Sequence, residues 1–326
     1  MFNNTSHPTI EQLDLSDTPV GNVGHYWLKL ISDPLGNPIS VPLMVARGSS
    51  DGPILGITAA VHGDELNGIP VVQRLFAELN VAELRGTVVG VPVVNVPSFI
   101  RKKRRFNDGV DLNHIMPGRA DGSLSQVYAH RLIERLVKHF DYLLDLHTAS
   151  AGRINSYYVR ADMKHPVTRK LALLQNAQLI VHNPPSDGTL RGAAEALDIP
   201  AITSEVGNPA TYQRKMIRSG LEGVHNTLCY LEMTDDELIA AEAPAIRCQF
   251  SYWLYTDTGG LLSIHVGLLD RVKTGELLAT IRDVFGKVKQ EYYAPENGVV
   301  IGKSVSPVNQ TGGRILHLGV ERRPTA

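Results

Sequence analysis

The sequence predicts an α/β fold built on a largely parallel sheet flanked by helices, with a small all-β segment behind it. Three observations predict this. Apolar runs alternate with segments of helical period up to about residue 235. Those runs are continuous rather than alternating, as strands covered on both faces are. Past residue 240 the helical period vanishes, and Gly and Asp turns cut the chain into short β-like pieces.

The elements follow in order. YWLKLIS and ISVPLMVAR, from Tyr26 to Arg47, flank DPLGNP, whose Pro and Gly fall where a hairpin turn wants them. A β-hairpin therefore opens the fold. Strands are expected at Ile54 to Val61, Val88 to Val96, Tyr142 to Leu146, Leu179 to Val181 and Ala201 to Val206. A helix over 64–80 aligns Ile69, Val72, Leu75, Phe76 and Leu79 on one face, and one over 126–140 aligns Leu132, Ile133, Leu136, Val137 and Phe140. A third, from Gln213 to Glu232, carries Ile217, Val224, Leu228 and Leu231. AEAPAIR, from Ala241 to Arg247, has the texture of a connector. The expected division is 1–240 and 241–326.

Composition excludes several function classes. Thirty-two Lys and Arg against 33 Asp and Glu leave a net charge of −1, which removes the electrostatic case for nucleic acid or a membrane surface as partner. The basic run Arg101 to Arg105 is local. Cys229 and Cys248 lack CxxC spacing, so neither a disulfide framework nor a thiolate zinc site is indicated. The N-terminal stretch MFNNTSHPTIEQLDLSD has no basic region followed by an apolar one, and nowhere do eighteen apolar residues run together. A cytoplasmic protein without a membrane span is the expectation.

The chemistry begins at TAAVHGDELNG, where a buried strand gives way to a helix start and His62 and Glu65 stand at i and i+3. Open α/β sheets place ligands at the carboxyl ends of their strands, and residues three apart on a first helical turn project together. A catalytic zinc takes three protein ligands and keeps one position for water. FDYLLDLHTAS supplies a third ligand, His147, again at a strand's carboxyl end. Such chemistry also needs a base. Glu205 lies near the end of the apolar strand in AITSEVGNP, where an unpaired carboxylate is costly unless it has a task.

HGDE at 62–65, DLN at 111–113, DLHT at 145–148 and SEVG at 204–207, in that order, resemble the succinylglutamate desuccinylase and aspartoacylase family, the deacylase branch of the zinc carboxypeptidases. The resemblance covers roughly residues 50–235, and the β-rich tail resembles that family's C-terminal domain. It implies a zinc-carboxypeptidase-like fold, one Zn2+ per chain held by His62, Glu65 and His147, and Glu205 as general base. By the same resemblance Asp111 orients the first zinc histidine, Asn113 helps hold a substrate carboxylate, and Arg191 in DGTLRG grips that carboxylate. Where the family carries an arginine after the asparagine, this chain has His114, which weakens the expected carboxylate fork. The resemblance further implies that Arg104 or Arg105 stabilises the oxyanion; spacing does not separate them, and Arg105 is the expected one.

The function implied is zinc-dependent hydrolysis of the amide in a small N-acylated amino acid. A metallocarboxypeptidase acting on peptide C-termini and a metal-bound binding protein without turnover are the rivals. The tail is read either as a lid over the cleft, with Glu291 and Tyr292 reaching its mouth, or as a surface for homo-oligomerisation. His182, His225, His265 and His317 have no acidic or histidine neighbour at ligand spacing and read as ordinary structural histidines.

Overall fold

Turn chemistry places the first hairpin where the sequence predicts it. The computed structural model describes residues 7–185 and 188–321; Met1 to Ser6 of the N-terminal stretch lie outside them. A two-residue strand, β1 (Thr9–Ile10), runs beside β2 (Asn22–Ser32), which turns back as β3 (Pro38–Arg47). Asp33 accepts hydrogen bonds from the backbone N–H of Leu35 and of Asn37, both at 2.8 Å, and Gly36 takes φ +84° to close the turn.

The chain then alternates strand and helix: β4 (Ser50–Ala59), α1 (Gly68–Glu78), β5 (Arg85–Val91), α2 (Val96–Arg101), α3 (Leu124–Arg135), β6 (Tyr142–His147). After β7 (Arg153–Asn155) and β8 (Tyr157–Ala161) come α4 (Pro166–Leu174), β9 (Leu179–His182), α5 (Leu190–Glu195), β10 (Ala201–Val206) and α6 (Arg214–Tyr230). The strands stand in the order β1-β2-β3-β5-β4-β6-β10-β8-β9. From β5 to β10 they run parallel, and β8 enters antiparallel to β10. This is the mixed, largely parallel sheet expected.

Both faces are covered, which explains the unbroken apolar runs. Leu143 packs into the core beneath α3 and α5, whereas Leu144 and Leu146 pack into the opposite core beneath α1, α4 and α6. Each fully buried leucine contributes roughly 1.5–3 kcal/mol, so a polar residue in these strands stands out. The strand expected to reach Val96 stops at Val91, because Asn95 caps a new helix by accepting from Ser98 N–H at 3.1 Å and Pro97 sits in its first turn. β8 and the short helices α4 and α5 go beyond the elements that the sequence predicts.

The tail is all β: β11 (Ile246–Tyr255), β12 (Gly260–Ile264), β13 (Arg271–Val272), β14 (Leu277–Arg282), β15 (Val288–Tyr293), β16 (Gly298–Ser304), β17 (Val308–Asn309) and β18 (Arg314–Glu321). It is spliced into the main sheet. Ile246 to Cys248 of β11 pair in parallel with Leu179 to Val181 of β9, and the sheet continues through β18, β16 and β13. β7 pairs with β16, and Tyr158, Leu179, Val181, Cys248, Val299 and Ile301 form a buried cluster across the junction. β15, β14, β12 and β17 make a second sheet. Among the described residues no helix is long and apolar enough to cross a membrane.

Candidate active site

Register brings the site together. In the parallel strands β4, β6 and β10, Thr58 stands opposite Asp145, and His147 opposite Glu205. Residues two apart share a face of a strand, so Asp145 and His147 on β6, with Thr203 and Glu205 on β10, form one polar stripe at the carboxyl edge of an otherwise apolar sheet.

His62 and Glu65 meet this stripe from the turn that follows β4. The sequence suggests a first helical turn there; instead α1 begins at Gly68, and Glu65 N–H donates to the His62 carbonyl at 3.1 Å in a tight turn. Gly63 is required at that point. A Cβ on it would lie 2.1 Å from the Ser98 backbone of α2, and its N–H donates to the Lys103 carbonyl at 3.0 Å.

The Glu65 carboxylate lies between two imidazoles, with Oε1 2.9 Å from His62 Nδ1 and Oε2 2.8 Å from His147 Nδ1. All three residues are buried, and their ligand atoms lie within 4.8 Å of one another. Ligands on a tetrahedral zinc stand about 3.3 Å apart, so small movements fit these residues around such an ion. Each histidine is anchored through its other nitrogen: Nε2 of His62 lies 3.0 Å from Asp111 Oδ1, and Nε2 of His147 lies 2.9 Å from Asp145 Oδ2. That arrangement fixes both rings with Nδ1 facing Glu65.

Electrostatics agree with the geometry. Burial opposes charge on Glu65, yet the two histidines hold its pKa well below the ordinary carboxylate range. Burial likewise opposes charge on Asp111, which His62 and Arg104 overcome, lowering its pKa. Glu205 differs. Burial and then the nearby charge of Glu65 push its pKa up, against the pull of His147, Arg160 and Arg104. Asn155 Nδ2 donates to Glu205 Oε2 at 3.2 Å. Two carboxylates on one cavity wall are thus pushed in opposite directions, a pattern found where one group binds and the other moves protons.

The arginine assignment needs correction. Arg105 is exposed and donates to the Gly109 carbonyl at 3.0 Å, turned away from the cavity. Arg104 is the one that faces it. Its Nε donates to Asp111 Oδ2 at 2.8 Å, its Nη1 donates to Glu65 Oε1 at 3.1 Å, and it also donates to Ser150 Oγ. Lys102, in the left-handed region at φ 53°, ends α2 two residues before Arg104.

A cavity of about 330 Å³ collects most of the expected residues: His62, Glu65, His147, Glu205, Asn113, His114 and Arg191 line it beside Arg104. Asn113 Oδ1 accepts from Leu190 N–H at 2.8 Å, which turns its amide NH2 towards His147. His114 is exposed at the rim. Arg191 stands in the first turn of α5 rather than in a loop, is fully buried and pairs with Glu195 at 2.9 Å; Asp187 of the DGTLRG stretch lies outside the described residues.

Sequence reasoning missed several residues. Asp145 carried a signal, since an acid two residues before a ligand on an apolar strand shares that ligand's face. The tail reaches the cavity, but through Trp253 and Arg314 rather than Glu291 and Tyr292; Tyr292 donates to Asp257 at 2.6 Å instead. His317 lies behind the cavity, stacked on Trp253 with ring centroids 5.1 Å apart. If the triad holds a divalent metal, Asp145→Asn is expected to weaken its binding about 10–100-fold, which metal titration of the purified variant reads, while circular dichroism shows the fold unchanged.

Residues 51–231 match the sequence profile described as the succinylglutamate desuccinylase/aspartoacylase catalytic domain. The chain belongs to this family. Over 306 residues it is 25% identical to the N-alpha-acetyl-L-2,4-diaminobutyric acid deacetylase of Halomonas elongata, covering 88% of each chain. Among solved structures, the ectoine utilization protein EutE (DoeB) of Ruegeria pomeroyi superposes with a TM-score of 0.84 at 23% identity, covering 91% of this chain and 95% of that one. A succinylglutamate desuccinylase/aspartoacylase of Rhodobacter sphaeroides has the same TM-score at 21% identity, covering 95% and 98%. As a member of a deacylase family with the family's fold over nearly its whole length, the chain carries the four motifs of the succinylglutamate desuccinylase/aspartoacylase family at one cavity.

Proposed function

We propose that this protein is a zinc-dependent hydrolase that cleaves the amide bond of a small N-acylated amino acid. One observation carries the reading: His62 and Glu65 from the turn after β4 and His147 from β6 bring three ligand atoms within 4.8 Å of one another, and Glu205 stands opposite His147 on the adjacent parallel strand of the same cavity. The name of its Halomonas elongata relative, an N-alpha-acetyl-L-2,4-diaminobutyric acid deacetylase, supports the substrate class.

His62, Glu65 and His147 would hold the metal, with Asp111 and Asp145 fixing the two rings. A bound zinc supplies Lewis-acid polarisation of the scissile carbonyl and lowers the pKa of water towards about 7. Glu205 accepts the proton as water attacks the carbonyl carbon, then delivers it to the departing nitrogen as the C–N bond breaks. Its position opposite His147, beside the ligand set and outside it, suits both tasks. Arg104 offers N–H donors to the oxyanion, a charge present only along the reaction path and therefore counted in rate. Asn113 and His114 on one wall and Arg191 on another bind the substrate's carboxylate.

The cavity's limited volume, with the tail's Trp253 and Arg314 in its wall, favours a small substrate over a peptide chain. Among the described residues the ligand set has three members, which suits a catalytic rather than a closed structural zinc. The test is metal analysis followed by an amidase panel of acetyl, succinyl and formyl amides of acidic, basic and neutral amino acids. One zinc per chain is expected, with hydrolysis abolished by a chelator and restored by zinc. A fully active chelated enzyme would end the proposal.

A further inference from the structure

Among the described residues five arginines line the cavity, and they divide into two groups. Arg104 meets Glu65 and Asp111 at 3.1 and 2.8 Å, Arg160 meets Glu205 at 4.0 Å, and Arg191 meets Glu195 at 2.9 Å. Arg153 and Arg314 are different. Among the described residues neither guanidinium has a carboxylate within 4.0 Å, and the neighbour both share is the indole of Trp253. The Arg153 guanidinium carbon lies 5.6 Å from that ring's centroid and the Arg314 carbon 5.3 Å.

Three separate pieces of chain build this arrangement. Arg153 opens β7, Trp253 lies in β11, and Arg314 opens β18. The indole is itself held in place: His317 stacks on it at an interplanar angle of 10°, and His317 Nε2 is 2.8 Å from Ser251 Oγ. Two like charges gathered on one ring repel each other, and cation–π attraction offsets that repulsion only in part. The strain registers on Arg153, whose pKa is lowered by burial and then by the charge of Arg314. A planar anion accepting from both guanidiniums would relieve it.

Resting on the deacylase reading, we propose that Arg153 and Arg314, with Trp253 as their platform, form a subsite for a second anionic group on the substrate. The substrate is then an N-acyl amino acid with a carboxylate beyond the one on its α-carbon, carried either by the acyl group or by the side chain. A cationic side chain, such as that of the diaminobutyric acid derivative handled by the Halomonas relative, would be repelled. The tail thereby contributes specificity through one charge and one ring, a role apart from the proton transfer at Glu205.

The test compares N-acetylalanine with N-acetylglutamate and N-succinylalanine, which place the second carboxylate on the amine side and the acyl side. The zinc-loaded wild type should prefer one of the dianions, and which one locates the subsite. Arg314→Gln and Arg153→Gln should each lower the kcat/KM ratio of the preferred dianion over N-acetylalanine about 10–100-fold, chiefly through KM. A binding readout separates this proposal from the function it rests on. Chain-wide there are two tryptophans, so in a Trp27→Phe background Trp253 alone reports. Glutarate should quench it at concentrations about tenfold or more below those needed for butyrate, and Arg314→Gln should erase that difference; calorimetry on the wild-type background gives the same comparison. Preference for glutarate with no amide cleaved would overturn the deacylase reading and leave the subsite standing. Arginine variants that keep the wild-type preference in both assays would overturn the subsite.

Discussion

Glu205→Gln is expected to retain its zinc and to lose turnover about a thousandfold, within the 10²–10⁴ range of a positioned general base. The substitution is isosteric. Asn155 Nδ2, 3.2 Å from Glu205 Oε2, can donate equally well to an amide oxygen, so the wall of the cavity keeps its shape. What disappears is the one carboxylate that, among the described residues, lines the cavity and lies outside the ligand set. Metal content by atomic emission and kcat on the best amide of the panel check both halves. Activity within tenfold of wild type would remove Glu205 from proton transfer, and loss of zinc would make it a structural support of the ligands instead.

Arg104→Gln should cost about 10²–10³ in kcat, the scale of losing one donor to a developing oxyanion, whereas Arg105→Gln should stay within about twofold, as surface substitutions do. The two residues are adjacent, identical in chemistry and equally plausible by spacing. Their surroundings differ completely. Arg104 is tied to Asp111 and Glu65 at 2.8 and 3.1 Å, while Arg105 bonds a loop carbonyl in solvent. Steady-state kinetics of the pair, with zinc content as a control, is a direct reading of which guanidinium faces the reaction. Equal losses in both variants would refute the assignment.

The elements that bear the candidate ligands were legible because burial writes itself into sequence. β4, β6 and β10 are covered on both faces, so His62, Glu65, His147 and Glu205 appear as polar residues at the ends of apolar runs. Orientation within a loop leaves no such mark, which is why Arg104 and Arg105 could not be told apart. The helical turn expected at His62 fails for a local reason: the approach of Ser98 to Gly63 holds that segment in a tight turn and delays α1 to Gly68. α5 spans six residues, too few for a helical period to declare itself. Trp253 and Arg314 were invisible for a different reason. Their place depends on a pairing between β9 and β11 that joins residues nearly seventy positions apart, and no local pattern encodes it.

That same splice, with the β7–β16 pairing beside it, bears on how the proposed deacylase would measure its substrate. The wall bearing Trp253 and the wall bearing His147 belong to one hydrogen-bonded sheet, backed by a common buried cluster at Tyr158, Cys248 and Ile301. Swinging one wall towards the other would tear this seam. On the proposed substrate class the opening is expected to act as a caliper with its jaws locked, so that one methylene too many or too few between the two ends of the molecule is met by misfit rather than absorbed by closure.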